Sequence, residues 1–235
     1  MATRGRRGAA LVALGMTLAV LTTACARSEG QENDEGRRSV PRSLSRAESA
    51  AEDTIDLILA GQRDKAVRSA GNLDKVVQGD LAEDLDGVAT KEELGQLQAR
   101  ASDLSKIVAT GEPVAVALAA NHAFELVARL FGKFHSDVPA AVLTLDYLDF
   151  ENKLRALSKE IDLVRAGVAS LSTTWGELSK TLPLGDKAAA ARRRFDAHVA
   201  AMTSLATAGT DFDGLAKEAQ HGLDLVDELE EVYAG

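Results

Sequence analysis

The 235-residue sequence contains a single cysteine, Cys25, so no disulfide can form within the chain. No stretch alternates apolar and polar residues as a half-buried strand does, which argues against a sheet protein. The sequence also lacks a nucleophile elbow, a phosphate-binding loop, a haem attachment motif and a zincin pattern. Because no catalytic motif is present, we predict that the chain is not an enzyme.

Positive charge is scarce, with 27 Lys and Arg against 36 Asp and Glu and a formal charge of -9. Residues 1–25 hold three arginines and no acid, so the chain without them carries -12. Such an acidic protein is a poor partner for nucleic acid or for anionic lipid surfaces. The charge suits cationic partners, metal ions or plain solubility.

The amino terminus has the layout of a secretory signal peptide. Arg4, Arg6 and Arg7 precede an uncharged run over residues 8–24 that is rich in Leu, Val and Ala. The run is 17 residues long, at the lower limit of the roughly 17 to 25 that a permanent transmembrane helix needs. We therefore predict a signal peptide and not a membrane-spanning anchor.

Residues 21–25, Leu-Thr-Thr-Ala-Cys, resemble the lipobox of bacterial lipoproteins, although Thr22 stands where Leu is more usual. The resemblance implies that Cys25 is lipidated and becomes the mature amino terminus. It also implies a location at the cell membrane, lipid-anchored on the extracytoplasmic face. Each buried lipid CH₂ contributes about 0.8 kcal/mol, so the acyl chains would anchor the protein practically permanently.

The chain after the lipobox divides into a tether and two helical units. Residues 26–42 are charged and polar with almost no aliphatic side chains, which predicts a flexible tether with a reach of roughly 20 to 25 Å. We place helical unit 1 at residues 43–135 and helical unit 2 at residues 139–235. The sequence leaves open whether the two units share one core.

Apolar residues recur at three- and four-residue spacing in segment after segment, which predicts an all-α fold. Thr90 with Glu93, and Thr210 with Asp213, suit helix starts, and Gly209 suits a helix end. The pattern predicts eight helices, at residues 43–60, 63–86, 91–110, 113–135, 139–158, 160–182, 187–207 and 211–233.

The two units resemble each other at a period of about 97–99 residues. Residues 121–127, Asn-His-Ala-Phe-Glu-Leu-Val, match residues 220–226, Gln-His-Gly-Leu-Asp-Leu-Val, and an aromatic residue ends both segments. We therefore predict an internal duplication that gives two tandem four-helix units.

The duplicated histidines suggest a metal-binding hypothesis. His122 with Glu125, and His221 with Asp224, are i,i+3 pairs of an imidazole and a carboxylate. If the two pairs met, they would suit a divalent metal such as zinc, iron or manganese. However, each pair lies away from the apolar seam of its helix, which favours solvated faces.

The remaining polar residues favour structural roles. His198 falls on an apolar seam, which predicts a core histidine bonded to a neighbour. Asp149 and Lys153 have the spacing of a surface ion pair, and the acids near the carboxyl terminus suit a solvated face. The composition therefore predicts no resident cofactor other than the hypothetical metal.

Two classes of function remain open. Residues 145–151 and the helices beyond them resemble parts of uncharacterised exported all-helical bacterial proteins, which implies a fold and no activity. The first hypothesis is a membrane-anchored, non-enzymatic binding or scaffold domain with an envelope protein as its partner. The alternative is an envelope metal-binding protein that uses the paired histidines and acids.

Overall fold

The computed structural model describes residues 38–234, and the regular structure in this range is helical, which confirms the all-α prediction. One isolated bridge joins Ser39 to His135, and a single 3₁₀ turn covers Ser179–Thr181. The helices are α1 Arg42–Leu59, α2 Arg63–Gln78, α3 Asp80–Asp84, α4 Lys91–Ile107, α5 Pro113–Phe131, α6 Ala140–Leu157, α7 Ile161–Leu178, α8 Asp186–Ala208 and α9 Phe212–Ala234.

The predicted helix boundaries agree closely with the observed ones, with one interruption. The second predicted helix, residues 63–86, is divided into α2 and α3 because the backbone of Gly79 leaves the helical region (φ -111°, ψ -110°). The predicted tether also ends earlier than expected. The amide of His135 donates to the carbonyl of Arg38 at 2.8 Å, and Val40 packs against buried apolar residues.

Capping residues explain several of the helix ends. The Thr90 side chain accepts from the amide of Glu93, whose carboxylate accepts from the amide of Thr90, so the predicted capping box is present. Gly209 ends α8 in the left-handed conformation, at φ 70°. At the start of α9 the prediction of Thr210 was wrong by one residue, because Asp211 accepts from the amide of Gly214 at 2.8 Å.

The helices form two rings of four, which we call the first bundle (α1–α5) and the second bundle (α6–α9). In the first bundle α1 and α4 each pack against α2 and α5, and α3 continues α2. In the second bundle α6 and α8 each pack against α7 and α9. The bundles meet where α5 packs against α6. Each bundle follows the same cyclic order, and the duplication itself stays a prediction.

Two clusters of buried apolar side chains fill the bundles, and α6 contributes to both. Its residues Leu143 and Phe150 belong to the cluster of the first bundle, while Val142 and Leu145 belong to that of the second. The described residues accordingly fall within one compact unit. The seam residues Leu154, Val168, Trp175 and Val226 are all buried, as predicted.

Helix α5 lies at the centre of the fold, in contact with α1, α4 and α6. It is the one described helix that is long and apolar enough to cross a membrane, and half of it is buried here, as expected of a core helix. Its burial extends beyond the predicted seam and includes Asn121, which is 0% exposed. His122 and Glu125, which were predicted to lie on a solvated face, are half-buried instead.

The signal peptide, Cys25 and most of the tether lie outside the described residues. Lipidation, export and the membrane location stay predictions.

Candidate functional site

A groove of about 410 Å³ lies between α1, α6 and α9, where the two bundles approach each other. Carboxylates from all three helices line it, and we call it the acidic groove. They are Glu48, Glu52 and Asp56 of α1, Asp146 of α6, and Asp224, Asp227 and Glu230 of α9. Part of the acidic run near the carboxyl terminus, predicted to be a solvated face, therefore forms one wall of this groove.

Helical spacing explains why these acids converge. Those of α1 are four residues apart and those of α9 are three apart, so each set lies on one face of its helix. The apolar side chains of Phe150, Leu223 and Val226 line the same groove and are buried. The carboxylates therefore lie over an apolar floor, where water solvates them less than it solvates ordinary surface acids.

This environment raises the pKa of several carboxyl groups in the groove. Burial raises the pKa of Glu48 to about 8, and the nearby charges of Glu52 and Glu230 add to the rise. Burial raises the pKa of Glu52 to about 7, although a hydrogen bond with Asp146 opposes the rise. Burial, followed by the charge of Glu52, holds the pKa of Asp146 well above its ordinary value. Several of these carboxyl groups therefore hold protons at neutral pH, and they repel one another once ionised.

Lys153 lies on α6 close to the acidic groove, and its ammonium donates to Oε1 of Gln220 at 2.6 Å. The predicted Asp149–Lys153 surface pair was wrong. Asp149 is 0% exposed and faces His198, so only Lys153 of the pair reaches the surface. Asp149 and Lys153 are thus one helical turn apart on α6, but one faces the core of the second bundle and the other the surface.

His198 of α8 is buried between two carboxylates, and we call Asp149, His198 and Glu218 the histidine cluster. Nδ1 of His198 is 2.9 Å from Oε1 of Glu218 on α9, and Nε2 is 3.1 Å from Oδ1 of Asp149 on α6. The second oxygen of Asp149, Oδ2, is buried without a hydrogen-bond partner among the described residues. The prediction of a core histidine bonded to a neighbour is confirmed, whereas its two acidic partners were not predicted.

Gly222 of α9 makes room for the histidine cluster. A Cβ at this position would lie 2.3 Å from Oδ2 of Asp149 and 2.5 Å from Nε2 of His198. Glycine within a helix costs about 1 kcal/mol relative to alanine, so its presence there indicates a close approach. The matched position of the other unit holds Ala123. This difference is the one sequence signal that marks the site.

The four predicted metal-binding residues are not assembled into one site. His122 has Nε2 3.6 Å from Oε2 of Glu151, and it lines a small pocket between α4 and α5 together with Glu125. His221 and Asp224 are both exposed, and Asp224 lines the acidic groove. In the described part of the chain, no group of three or more His, Cys, Asp or Glu residues is arranged to hold a metal ion. Metal binding by these pairs stays a prediction without a preformed site there.

A second polar network joins α5 to α6 at the contact between the bundles. Glu151 accepts from Nε of Arg155 at 2.8 Å and from Nδ2 of Asn121 at 3.0 Å. Burial alone would raise the pKa of Glu151, but the contact with His122 and the hydrogen bonds from Arg155 and Asn121 outweigh it and lower the pKa to about 2. Donors therefore satisfy this carboxylate, unlike those of the acidic groove.

A larger trough, of about 990 Å³, runs between α1 and α2. Its charged residues are of both signs, and Arg46 pairs with Asp80 across it at 2.5 Å. Its charges therefore largely neutralise one another. The acidic groove, with an excess of one sign, is the stronger candidate for a binding site.

Comparison with known proteins identifies no relative of this chain: no family model, curated protein or solved structure matches it. Function is therefore inferred from the residues themselves.

Proposed function

We propose that this chain is a lipid-anchored extracytoplasmic binding module, without enzymatic activity, whose acidic groove receives a basic segment of an envelope protein. The observation that carries the proposal is the convergence of seven carboxylates from three helices on one groove. The acids come from both bundles, so the groove exists only in the folded chain.

The arrangement of the acids favours an extended ligand over a single ion. No three of them are close enough together to hold one metal ion. The acids of α1 follow one another at intervals of four residues, a rise of about 6 Å. Side chains on one face of an extended peptide are about 6.6 to 6.8 Å apart. A segment with lysine or arginine at every second position therefore matches the spacing of this wall.

The electrostatics of the groove support a cationic ligand. Burial and mutual repulsion raise the pKa of Glu48 to about 8, so ionisation of the empty groove is unfavourable near neutral pH. A bound ammonium or guanidinium group offsets this repulsion, because opposite charges favour the ionised form. Binding of a basic segment should therefore release protons, and its affinity should rise with pH.

The groove is tested by calorimetric titration of the full-length protein with the peptide Lys-Gly-Lys-Gly-Lys at pH 7.5 and about 0.15 M salt. We expect the triple variant Glu48→Gln, Glu52→Gln, Glu230→Gln to weaken binding at least tenfold. A control makes the matching three amide substitutions at the exposed acids Asp103, Asp162 and Glu177, and should change affinity less than twofold. Equal losses in both variants, or no binding by the wild type, would refute the proposal for the groove.

Calorimetric titration with metal ions tests the metal-binding alternative. Near-stoichiometric binding of Zn²⁺, Fe²⁺, Mn²⁺ or Cu²⁺ that is lost in the His122→Ala, His221→Ala double variant would favour it. The peptide arm and the metal arm use different variants, so one result does not imply the other.

The lipid anchor is supported by the sequence alone, through the lipobox-like residues 21–25. Replacement of Cys25 by Ala should release the protein from membranes and remove the acyl mass from its amino-terminal peptide. Retention on membranes without that mass would indicate an uncleaved hydrophobic helix instead, and would overturn the anchoring proposal without affecting the groove.

A further inference from the structure

Three helices of the second bundle meet at the imidazole ring of His198. Asp149 comes from α6 and Glu218 from α9, and each places one carboxylate oxygen within hydrogen-bond distance of a ring nitrogen. The side chains of Asp149 and His198 are fully buried, and that of Glu218 is 22% exposed. The contact is therefore shielded from water on the Asp149 side and open to protons on the Glu218 side.

The two hydrogen bonds at His198 need one proton more than a neutral imidazole and two ionised carboxylates supply. A neutral imidazole has one N–H and one acceptor nitrogen, whereas an ionised carboxylate only accepts. With both carboxylates ionised, a neutral His198 leaves one of the two contacts without a hydrogen. Both hydrogen bonds form together when the ring is an imidazolium, which donates from Nδ1 and from Nε2.

We propose that Asp149, His198 and Glu218 form a proton-dependent lock that fastens α8 to α6 and α9. When the ring is protonated, two charge-assisted hydrogen bonds hold the three helices together. When the ring loses its proton, one of the two bonds is lost, and one carboxylate of the cluster is left without a donor from the ring, which is unfavourable. The lock consists of residues of the second bundle and is a site separate from the acidic groove.

The groups around the ring define the pH range of the lock. The carboxylates of Asp149 and Glu218 outweigh the effect of burial and raise the pKa of His198 above the ordinary 6.5. Burial raises the pKa of Asp149 to about 6, opposed by its bond to His198. From α9 His221 also approaches, with its ring centroid 6.3 Å from that of His198. Both hydrogen bonds of the lock are therefore present from about pH 6 up to the raised pKa of His198, and one of them is lost at higher pH.

Other charged groups near α8 have partners of their own. On α8, Arg194 pairs with Glu228 of α9, and Asp196 accepts from the indole of Trp175 on α7. Arg165 of α7 donates to the carbonyl of Ala206, further along α8. On α6 the neighbouring acid is Asp146, which lines the acidic groove. Asp146 and Asp149 repel each other when both are ionised, so Asp146 also acts on the lock.

Trp175 provides a reporter for the lock. It is the only tryptophan of the sequence, and its ring stacks on Phe195 with the centroids 4.4 Å apart. Phe195 in turn contacts His198 edge to face at 5.3 Å. Loss of the proton on His198 removes one of the bonds that hold α8, so it should change the fluorescence of Trp175.

The test is a fluorescence titration of the full-length protein between pH 5 and pH 10. We expect a reversible transition in the wild type with its midpoint above pH 6.5. The transition should be absent in His198→Gln and kept in the control His221→Gln, which alters the neighbouring exposed ring. A transition that survives in His198→Gln, or that disappears in His221→Gln, would overturn the lock.

A second measurement covers the case in which His198→Gln does not fold. Nuclear magnetic resonance of ¹⁵N-labelled histidine side chains reports the protonation of each ring directly in the wild type. The lock requires one of the four histidines to keep both ring nitrogens protonated above pH 6.5 in the folded protein. If every folded-state histidine titrates at or below pH 6.5, the lock does not exist.

Discussion

The two bundles have the same cyclic helix order but fill their interiors differently. The buried polar side chains of the first bundle are hydroxyl and amide groups, as in Ser69 and Asn121. Those of the second bundle include the ionisable pair Asp149 and His198. A common packing order can therefore accommodate either a core of neutral groups or a core with a buried charge cluster. The charge cluster makes the second bundle the one whose stability should depend on the state of a buried proton.

The largest expected effects come from truncating a buried aromatic side chain in either bundle. Phe124 and Phe195 are both 0% exposed, one in each apolar cluster. Replacement of either by alanine should lower the free energy of unfolding by about 3 to 5 kcal/mol. Because α6 belongs to both clusters, we expect the two bundles to unfold together.

Trp175 allows this cooperativity to be measured, because the tryptophan lies in the second bundle. In urea unfolding, Phe124→Ala should lower the fluorescence midpoint and the circular-dichroism midpoint by equal amounts. If the fluorescence midpoint stays at its wild-type value while the helical signal is lost earlier, the bundles are separate folding units.

The sequence was sufficient to predict the helices, and insufficient to predict which helices meet. Periodicity identified the faces of α7 and α8 that are buried, including the position of His198. It did not identify Asp149 as its partner, because the two residues are 49 positions apart and a helical seam does not specify the neighbouring helix. For the same reason, Asp149 and Lys153 were paired by spacing alone.

The acidic groove is a second case in which the sequence did not predict which helices meet. The sequence predicts its acids on α9 as a charged run, while no pattern in the sequence distinguishes Glu48 and Glu52 on α1. Each set alone resembles a solvated face, and only the position of α1 and α9 on opposite sides of one groove turns the two into one site. Local spacing predicts such a set as exposed, because the burial arises from contacts between residues distant in the chain.

Next in size is the effect of filling the space above the histidine cluster. Gly222→Ala places a Cβ within 2.5 Å of both Asp149 and His198. We expect it to lower the free energy of unfolding by about 3 kcal/mol, at the upper end of the usual cost of overpacking. The control is Gly176→Ala in α7, where a Cβ would meet nothing within 4 Å. There the change should stabilise the protein by about 0.4 to 1 kcal/mol.

The opposite signs of these two changes distinguish packing from helix propensity, since both replace a glycine within a helix by alanine. Urea denaturation at pH 7 measures both. Stabilisation by Gly222→Ala would show that α9 does not approach Asp149 and His198 as closely as described, and the contrast between the bundles would lose its basis.

The smallest effect concerns the pH dependence of stability that the acidic groove imposes. The pKa of Glu48 is raised to about 8 and that of Glu52 to about 7, from an ordinary value of 4.5. Between these values the folded state binds more protons than the unfolded state, so the free energy of unfolding falls as pH rises from about 4.5 to 8. The raised pKa of His198 acts in the same direction, because its contribution is complete below about 6.5 and is lost at higher pH.

Amide substitutions separate the contribution of the groove carboxylates to this pH dependence from that of His198. The double variant Glu48→Gln, Glu52→Gln should remove about 2 kcal/mol of the decline between pH 5 and pH 8.5, a value well below the sum of the two shifts because the carboxylates are coupled. Glu177→Gln, at an exposed ion pair with Lys180, should leave the decline unchanged. Part of the decline that persists in the double variant belongs to the histidine cluster, and that part should disappear when His198→Gln is added. The remainder comes from Asp146, whose pKa burial also raises. If the double variant declines as steeply as the wild type, the groove carboxylates ionise freely, and repulsion between them is too weak to favour a basic ligand.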